Sequence, residues 1–254
     1  MKHCLYWVTK DLRINDNLAL HLAQQNDKLL CVYVIDEKWF ANTKYQSKPL
    51  GNVRWSFLQS CLNDFNKQLL ALGQQLYIVY GDTITTLTHL CKSYKINNLV
   101  TTRLPGSYEQ QNITKLQGLL PALSINQVEQ FTLFNSQSLS FEIEQLPESF
   151  SRFRKLMANI EAPLTLPKVT SLPTTFCNMP SPTLFRPSWV PQINSLHNKG
   201  GYLFDGGEQQ GQKQLKQYLS SPAALNYKKV RNELTGWLNS SKFSPWLGYG
   251  CISP

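Results

Sequence analysis

Apolar and polar positions change period repeatedly along this chain. Cys4–Val8 is a short apolar run, and Leu29–Ile35 is a continuous one. Unbroken apolar runs of this length fit strands of a parallel sheet covered on both faces. Between such runs the apolar period shifts to three and four. Leu58, Cys61, Leu62, Phe65, Leu69 and Leu72 line one face of a helix predicted over Gly51–Leu72, with Gly73 as its stop. Shorter helices are predicted at Asn17–Gln25, capped by Asp16 or Asn17, from the Asp82 cap to about Tyr94, and at Tyr108–Leu120. Further strands are predicted at Gln75–Tyr80, Asn98–Thr102 and Ile125–Phe131. Strand–helix alternation at this spacing predicts an α/β fold, a doubly wound parallel five-stranded sheet, over residues 1–135.

The pattern then changes. Seven of the 14 prolines fall between Pro163 and Pro191, so residues 136–200 read as an irregular, Pro-rich connector. Its Leu184, Phe185 and Trp189 are expected to lie against the folded parts. Helical periodicity returns at Gln209–Leu219, Leu225–Leu238 and Phe243–Ile252. Residues 201–254 are therefore expected to be the start of an all-α domain that is cut short. Its helices Gln209–Leu219 and Phe243–Ile252 would then expose apolar faces and favour self-association.

Charge adds a preference for partners. The 25 Lys and Arg against 16 Asp and Glu leave +9, a balance that favours polyanions such as nucleic acid. There is no Lys/Arg run, so any basic face must be assembled by the fold. No apolar stretch is long enough to span a bilayer, and the N-terminus reads as a first strand rather than a signal peptide. A cytoplasmic location is expected. The six cysteines, at 4, 31, 61, 91, 177 and 251, form no C-x-x-C pair and read as reduced core thiols. The four histidines, at 3, 21, 89 and 197, lack metal-ligand spacing. Walker, G-x-G-x-x-G, H-E-x-x-H and G-x-S-x-G motifs are absent.

Three groups of residues remain as candidate chemistry. Ser240, Ser241, Lys242, Phe243 and Ser244 cluster hydroxyls and a cation at a predicted helix start, which suits a phosphate and equally suits plain helix capping. Asp11, Arg13 and Asp16 could form a loop ion-pair set. Glu109 stands just after the fourth strand, at the N-terminus of a predicted helix.

The motifs also carry a resemblance. Asp11, Arg13, Asp16, Asn17, Ala19 and Leu20 follow the first strand as in the photolyase/cryptochrome family. Arg54, Phe57 and Leu58 resemble the family's Arg-x-x-Phe-Leu helix, and Leu146, Pro147, Phe150, Phe153, Arg154 and Lys155 its pre-linker passage. Phe204, Gly206, Gly207 and Glu208 are similar to the Phe-x-Gly-Gly-Glu of the DASH-type cryptochromes. Tyr227, Arg231 and the Ser240–Ser244 run are similar to that group's flavin segment. The matches run in family order through the whole chain. The resemblance implies a photolyase-type α/β domain followed by part of an all-α flavin domain. It implies blue-light, flavin-dependent repair of pyrimidine dimers, in single-stranded or damaged DNA. FAD would be contacted by Tyr227, Ser240, Ser241, Lys242, Phe243 and Ser244, DNA by Arg231, and a folate antenna (methenyltetrahydrofolate) by Glu109. Arg231 could equally be a helix-surface ion-pair partner of Glu233. Arg103, Pro105 and Gly106 depart from the DASH pattern beside Glu109. The acid and arginine near the flavin ring have no counterpart here, so FAD is expected to bind weakly to this chain. Two other readings are a non-catalytic chromophore- or nucleotide-binding module and a relative of the electron-transfer flavoproteins; the connector and residues 227–254 argue against the latter.

Overall fold

The computed structural model describes residues 1–176, 187–191, 204–233 and 236–254. Cys177, Leu184, Phe185 and His197 lie outside these residues. Five parallel strands, β1 (His3–Trp7), β2 (Lys28–Asp36), β3 (Leu76–Gly81), β4 (Asn98–Thr102) and β5 (Ser124–Val128), form one sheet in the order β3-β2-β1-β4-β5. The chain winds outward from β1 to β3 and then crosses to β4, so the winding reverses between β1 and β4. The predicted doubly wound sheet is thus present. β5 stops at Val128 rather than Phe131, where the polar Glu129 and Gln130 leave the ladder.

Strand alternation fills both faces. Cys4, Tyr6, Leu29, Cys31, Tyr33 and Ile35 point into one core, while Leu5, Trp7, Leu30, Val32 and Val34 point into the other. The first core is closed by α1 (Leu18–Ala23) and α2 (Asn52–Ala71), and the second by α3 (Thr83–Ser93) and α4 (Ser107–Leu119). α2 buries Trp55, Phe57, Leu58, Cys61, Leu62, Phe65 and Leu69 along one face. Each large side chain among them contributes about 2–3 kcal/mol by leaving water. Asn17 caps α1 and Asp82 caps α3 through their side chains.

A short helix, α5 (Phe150–Met157), follows the sheet. The proline-rich stretch after it is irregular, yet strapped to the sheet. Leu166 N donates to Asp16 Oδ1 (2.8 Å), Leu29 N donates to Thr174 O (3.2 Å), and Val169 is buried. Trp189, as expected, packs against Phe40 and Tyr80.

The last third contains α6 (Glu208–Leu219), α7 (Ala223–Val230) and α8 (Ser244–Gly248). Two predicted helices are shorter than their periodicity implied. α7 ends at Val230 instead of Leu238 because it buries none of its residues, and a helix of that length needs packing to persist. α8 ends at Gly248, and Gly250, at φ +66°, turns the chain back. The expectation of an exposed apolar face over Phe243–Ile252 is also corrected. Trp246, Cys251 and Ile252 are buried in the first core, with Trp246 against Phe57 and Phe204 (ring centroids 6.0 and 5.5 Å).

The loop between β1 and α1 holds these parts together, but not through ion pairs. Arg13 donates to Asp16 O (2.9 Å) and Gly250 O (3.1 Å), because main-chain carbonyls crowd the junction. Asp16 accepts from Leu166 N and the Ser253 hydroxyl. Asp11 is fully buried and accepts from Tyr6 Oη (2.7 Å), Thr9 N (2.8 Å) and Thr102 Oγ1 (2.7 Å). Burial outweighs these donors and holds its carboxyl above the usual carboxylate range. The folded state therefore binds this proton more tightly than the unfolded chain. The Asp11 contribution to stability is full below the ordinary Asp range, about pH 4, and falls as pH rises through the raised value. Urea unfolding of Asp11→Asn should lose this decline relative to the parent; an unchanged pH slope would contradict it.

Candidate functional site

Parallel sheets bind ligands beyond the carboxyl ends of their strands, where the winding reverses. Here that place is a cleft of about 260 Å³ past the ends of β1, β2 and β4. Tyr33, Trp39 and Tyr108 give it aromatic walls, and Lys10, Arg54 and Glu109 give it charges. Glu109 stands in the first turn of α4, half-buried. Its carboxylate folds back over Gly106, close to where a β-carbon would stand. The departure at Arg103 is a surface one: it pairs with Glu129 at 2.6 Å.

Tyr108 is held by Asp36 at the end of β2. Asp36 is fully buried and accepts from Thr83 Oγ1 (2.7 Å), Lys38 N (2.9 Å) and Tyr108 Oη (3.1 Å). Burial, then the Asp36 charge, pushes the Tyr108 hydroxyl above its usual range, so it stays a proton donor. Lys10 lies with Nζ 4.7 Å from the Tyr249 ring centroid. Burial pulls its ammonium below the usual range, against the opposing charge of Glu109.

Beyond Lys10 a second groove, of about 410 Å³, runs between α2 and α8 and is lined by Phe57, Phe204 and Ser244. The structure divides the Ser240–Ser244 run. Ser244 faces this groove, whereas Phe243 packs on Tyr218 (5.6 Å) and Ser241 O accepts from Gln214 Nε2 (3.0 Å). Lys242 takes a left-handed φ of +57°. No side chain caps α8, so the capping reading of the serines does not describe this helix, and α8 has only five residues. Tyr227 is exposed on α7, and Arg231 is exposed at its end beside Lys228 and Lys229. Neither Tyr227 nor Arg231 lines either cleft. Glu233 accepts from Asn239 Nδ2 (2.8 Å), and the two salt bridges among the described residues involve neither Glu233 nor Arg231.

Sequence reasoning passed over Lys10, Asp36, Tyr108 and Tyr249 as site residues. The rule that ligands sit past strand ends would have found the first three, because each follows a predicted strand closely. Nothing in the sequence points to Tyr249.

The parallel sheet and its cleft at the winding reversal define a doubly wound α/β unit with helices after it. Residues 4–170 match the DNA photolyase family model, and the chain belongs to that family. It is 32% identical to cryptochrome DASH of Idiomarina loihiensis and 33% identical to that of Vibrio parahaemolyticus, over 98% of this chain in each case. It covers 54% and 55% of those two proteins, so it spans about half the length of these relatives. The cryptochrome of Synechocystis sp. PCC6803 superposes over all of this chain and 53% of its own, with a TM-score of 0.90 at 28% identity. An archaeal photolyase from Sulfolobus tokodaii, solved with two FAD molecules, shares the fold at a TM-score of 0.71 and 16% identity. No helix among the described residues is long and apolar enough to cross a membrane.

Proposed function

We propose that this chain is the chromophore-binding part of a DASH-type cryptochrome or photolyase, with an antenna held in the cleft at the sheet's winding reversal. The observation that carries this reading is the placement of Glu109 in that cleft, together with the rings of Tyr33, Trp39 and Tyr108. A carboxylate can accept two N–H bonds from the edge of a pterin, and the neighbouring rings can cover its faces. Methenyltetrahydrofolate has the flat, nitrogen-edged head this cleft suits. Residues 1–135 serve as the α/β unit, 136–200 as connector and 201–254 as the helical part.

The parent reaction is blue-light repair of pyrimidine dimers, for which FAD supplies the excited electron donor when bound. Tyr227, Ser240, Ser241, Lys242, Phe243 and Ser244 offer FAD a phosphate-contacting edge. The serine hydroxyls are not committed to capping α8, which fits that role. Neither cleft encloses Tyr227 with these residues, so FAD affinity in this chain is low and most binding surface stays wet. Arg231, with Lys228 and Lys229, forms an exposed basic edge for single-stranded or damaged DNA, with steep salt dependence.

The second reading is a chromophore-binding module without repair activity. It is favoured by the contrast between the formed Glu109 cleft and the exposed Tyr227. The absorption spectrum of the purified chain tests the main reading. Near-ultraviolet or blue absorption from a bound chromophore, acquired in the cell or on reconstitution, is expected; a chain colourless under both conditions would overturn it.

A further inference from the structure

Beyond β5, residues 131–157 build a groove of about 950 Å³ that shares no lining residue with either cleft. Leu133, Phe134, Leu139, Leu146, Phe150 and Phe153 line it. Its walls are held in place. Glu129 accepts from Ser136 N and Ser136 Oγ (both 2.7 Å) and pairs with Arg103, and Ser149 caps α5 through its side chain. Phe153 packs on Phe141 and Phe150 (ring centroids 6.3 and 6.4 Å). Much of the apolar surface still faces water. Phe150 is 76% exposed, and Leu133, Ile143, Leu146 and Leu156 are each about half exposed. Apolar side chains clustered in water in this way mark an interaction surface.

Charge indicates what covers it. Glu142, Glu144 and Glu148 stand on the approach to α5, and Arg152, Arg154 and Lys155 stand on α5 itself. All are exposed, and none joins either salt bridge among the described residues, Lys38–Asp82 and Arg103–Glu129. They are the only charged residues from 131 to 157, and acids and bases cancel. The patch therefore has no net attraction for a nucleic acid or an anionic membrane. A second copy of the same patch is a better match. Under a twofold rotation the acidic arm of one copy can meet the basic helix of the other, and the pairing repeats on both sides of the axis. A specific interface takes about 20–30 residues a side, and the run from 131 to 157 is of that length.

We propose that this patch is a self-association surface. Two copies of the chain pack about a twofold axis, the arm of residues 142–148 in each against α5 of the other, with Phe150 of each copy in the groove of the other.

Sedimentation of the whole chain at micromolar concentrations provides the test. The parent should approach twice the monomer mass. Phe150→Asp should weaken the dimer about tenfold or more, as expected when a central aromatic anchor is lost from both halves of an interface. Two charge-reversed chains give the sharper result. One carries Glu142→Lys, Glu144→Lys and Glu148→Lys; the other carries Arg152→Glu, Arg154→Glu and Lys155→Glu. Each alone should be monomeric, because like charges then face one another, while an equimolar mixture should form a heterodimer. Every side chain replaced is exposed, so the variants should fold as the parent does, which circular dichroism checks. A parent that stays monomeric, a dimer that survives Phe150→Asp, or charge-reversed chains that dimerise alone or fail to pair with each other would overturn the proposal. So would binding of the parent to single-stranded DNA or anionic vesicles that Phe150→Asp abolishes, since the patch would then have another occupant.

Discussion

Replacing Gly250 with alanine is expected to detach residues 244–252 from the α/β domain. Gly250 has a φ of +66°, where an L side chain is strained. Its added β-carbon would also meet main-chain atoms of Lys10 and Asp11 rather than a movable side-chain end. That main chain cannot yield cheaply. Asp11 is locked by its buried bonds, Leu12 N donates to Tyr249 O (3.2 Å), and Arg13 donates to Gly250 O. Overpacking and backbone strain together should cost about 3 kcal/mol or more. Trp246 would lose its packing on Phe57, and Tyr249 would leave the wall of both clefts. A lower urea midpoint with raised amide exchange over residues 246–252 is the expected result. A midpoint and exchange pattern equal to the parent's would show that the junction tolerates a side chain.

Glu208→Ala should have the next largest effect. Glu208 is buried in the first turn of α6, and its carboxylate accepts from Ile14 N (2.8 Å), Asn15 N (3.2 Å) and Asn15 Nδ2 (2.5 Å). Its own N–H donates to Asp64 on α2 (2.8 Å). Alanine would strand the buried Ile14 N–H and leave a hole, at about 1–3 kcal/mol for the unsatisfied group before any relaxation, while the part-buried Asn15 donors can turn to water. Glu208→Gln keeps an acceptor but turns an NH₂ toward donors, so it should fall between parent and alanine. Amide exchange at Ile14 and Asn15 gives the local readout. Protection there equal to the parent's in Glu208→Ala would contradict the role of Glu208 as the link between α6 and the β1–α1 loop.

These two residues also mark how far the sequence can be read. The sheet was legible because Leu29–Ile35 cannot be exposed on either face, and because α2 repeats its apolar residues through five turns. The loop motif of Asp11, Arg13 and Asp16 was visible, but its bonding was not. An Asp and an Arg two positions apart invite an ion pair, whereas the fold offers Arg13 the carbonyls of Asp16 and Gly250, the latter far away in sequence. Helix ends in the last third were misread for a related reason. Periodicity reports where apolar residues would align, and α7 buries none of its residues. In the candidate site, Glu109 was legible through its family motif. Lys10 follows a strand end and Arg54 stands in a helix motif, but their meeting with Tyr249 was not legible, because three distant parts of the chain bring them together.

The most direct test of the central claim, that the cleft at the sheet's winding reversal is a chromophore site, is a stoichiometric titration of the whole chain followed by absorption and fluorescence. Methenyltetrahydrofolate and flavin mononucleotide are the probes, with the parent and Glu109→Gln compared. Saturation at one chromophore per chain, with affinity reduced at least about tenfold in the variant as expected for loss of a charge-assisted pair, is the predicted result. Non-saturating binding, or equal affinity in parent and variant, would contradict it.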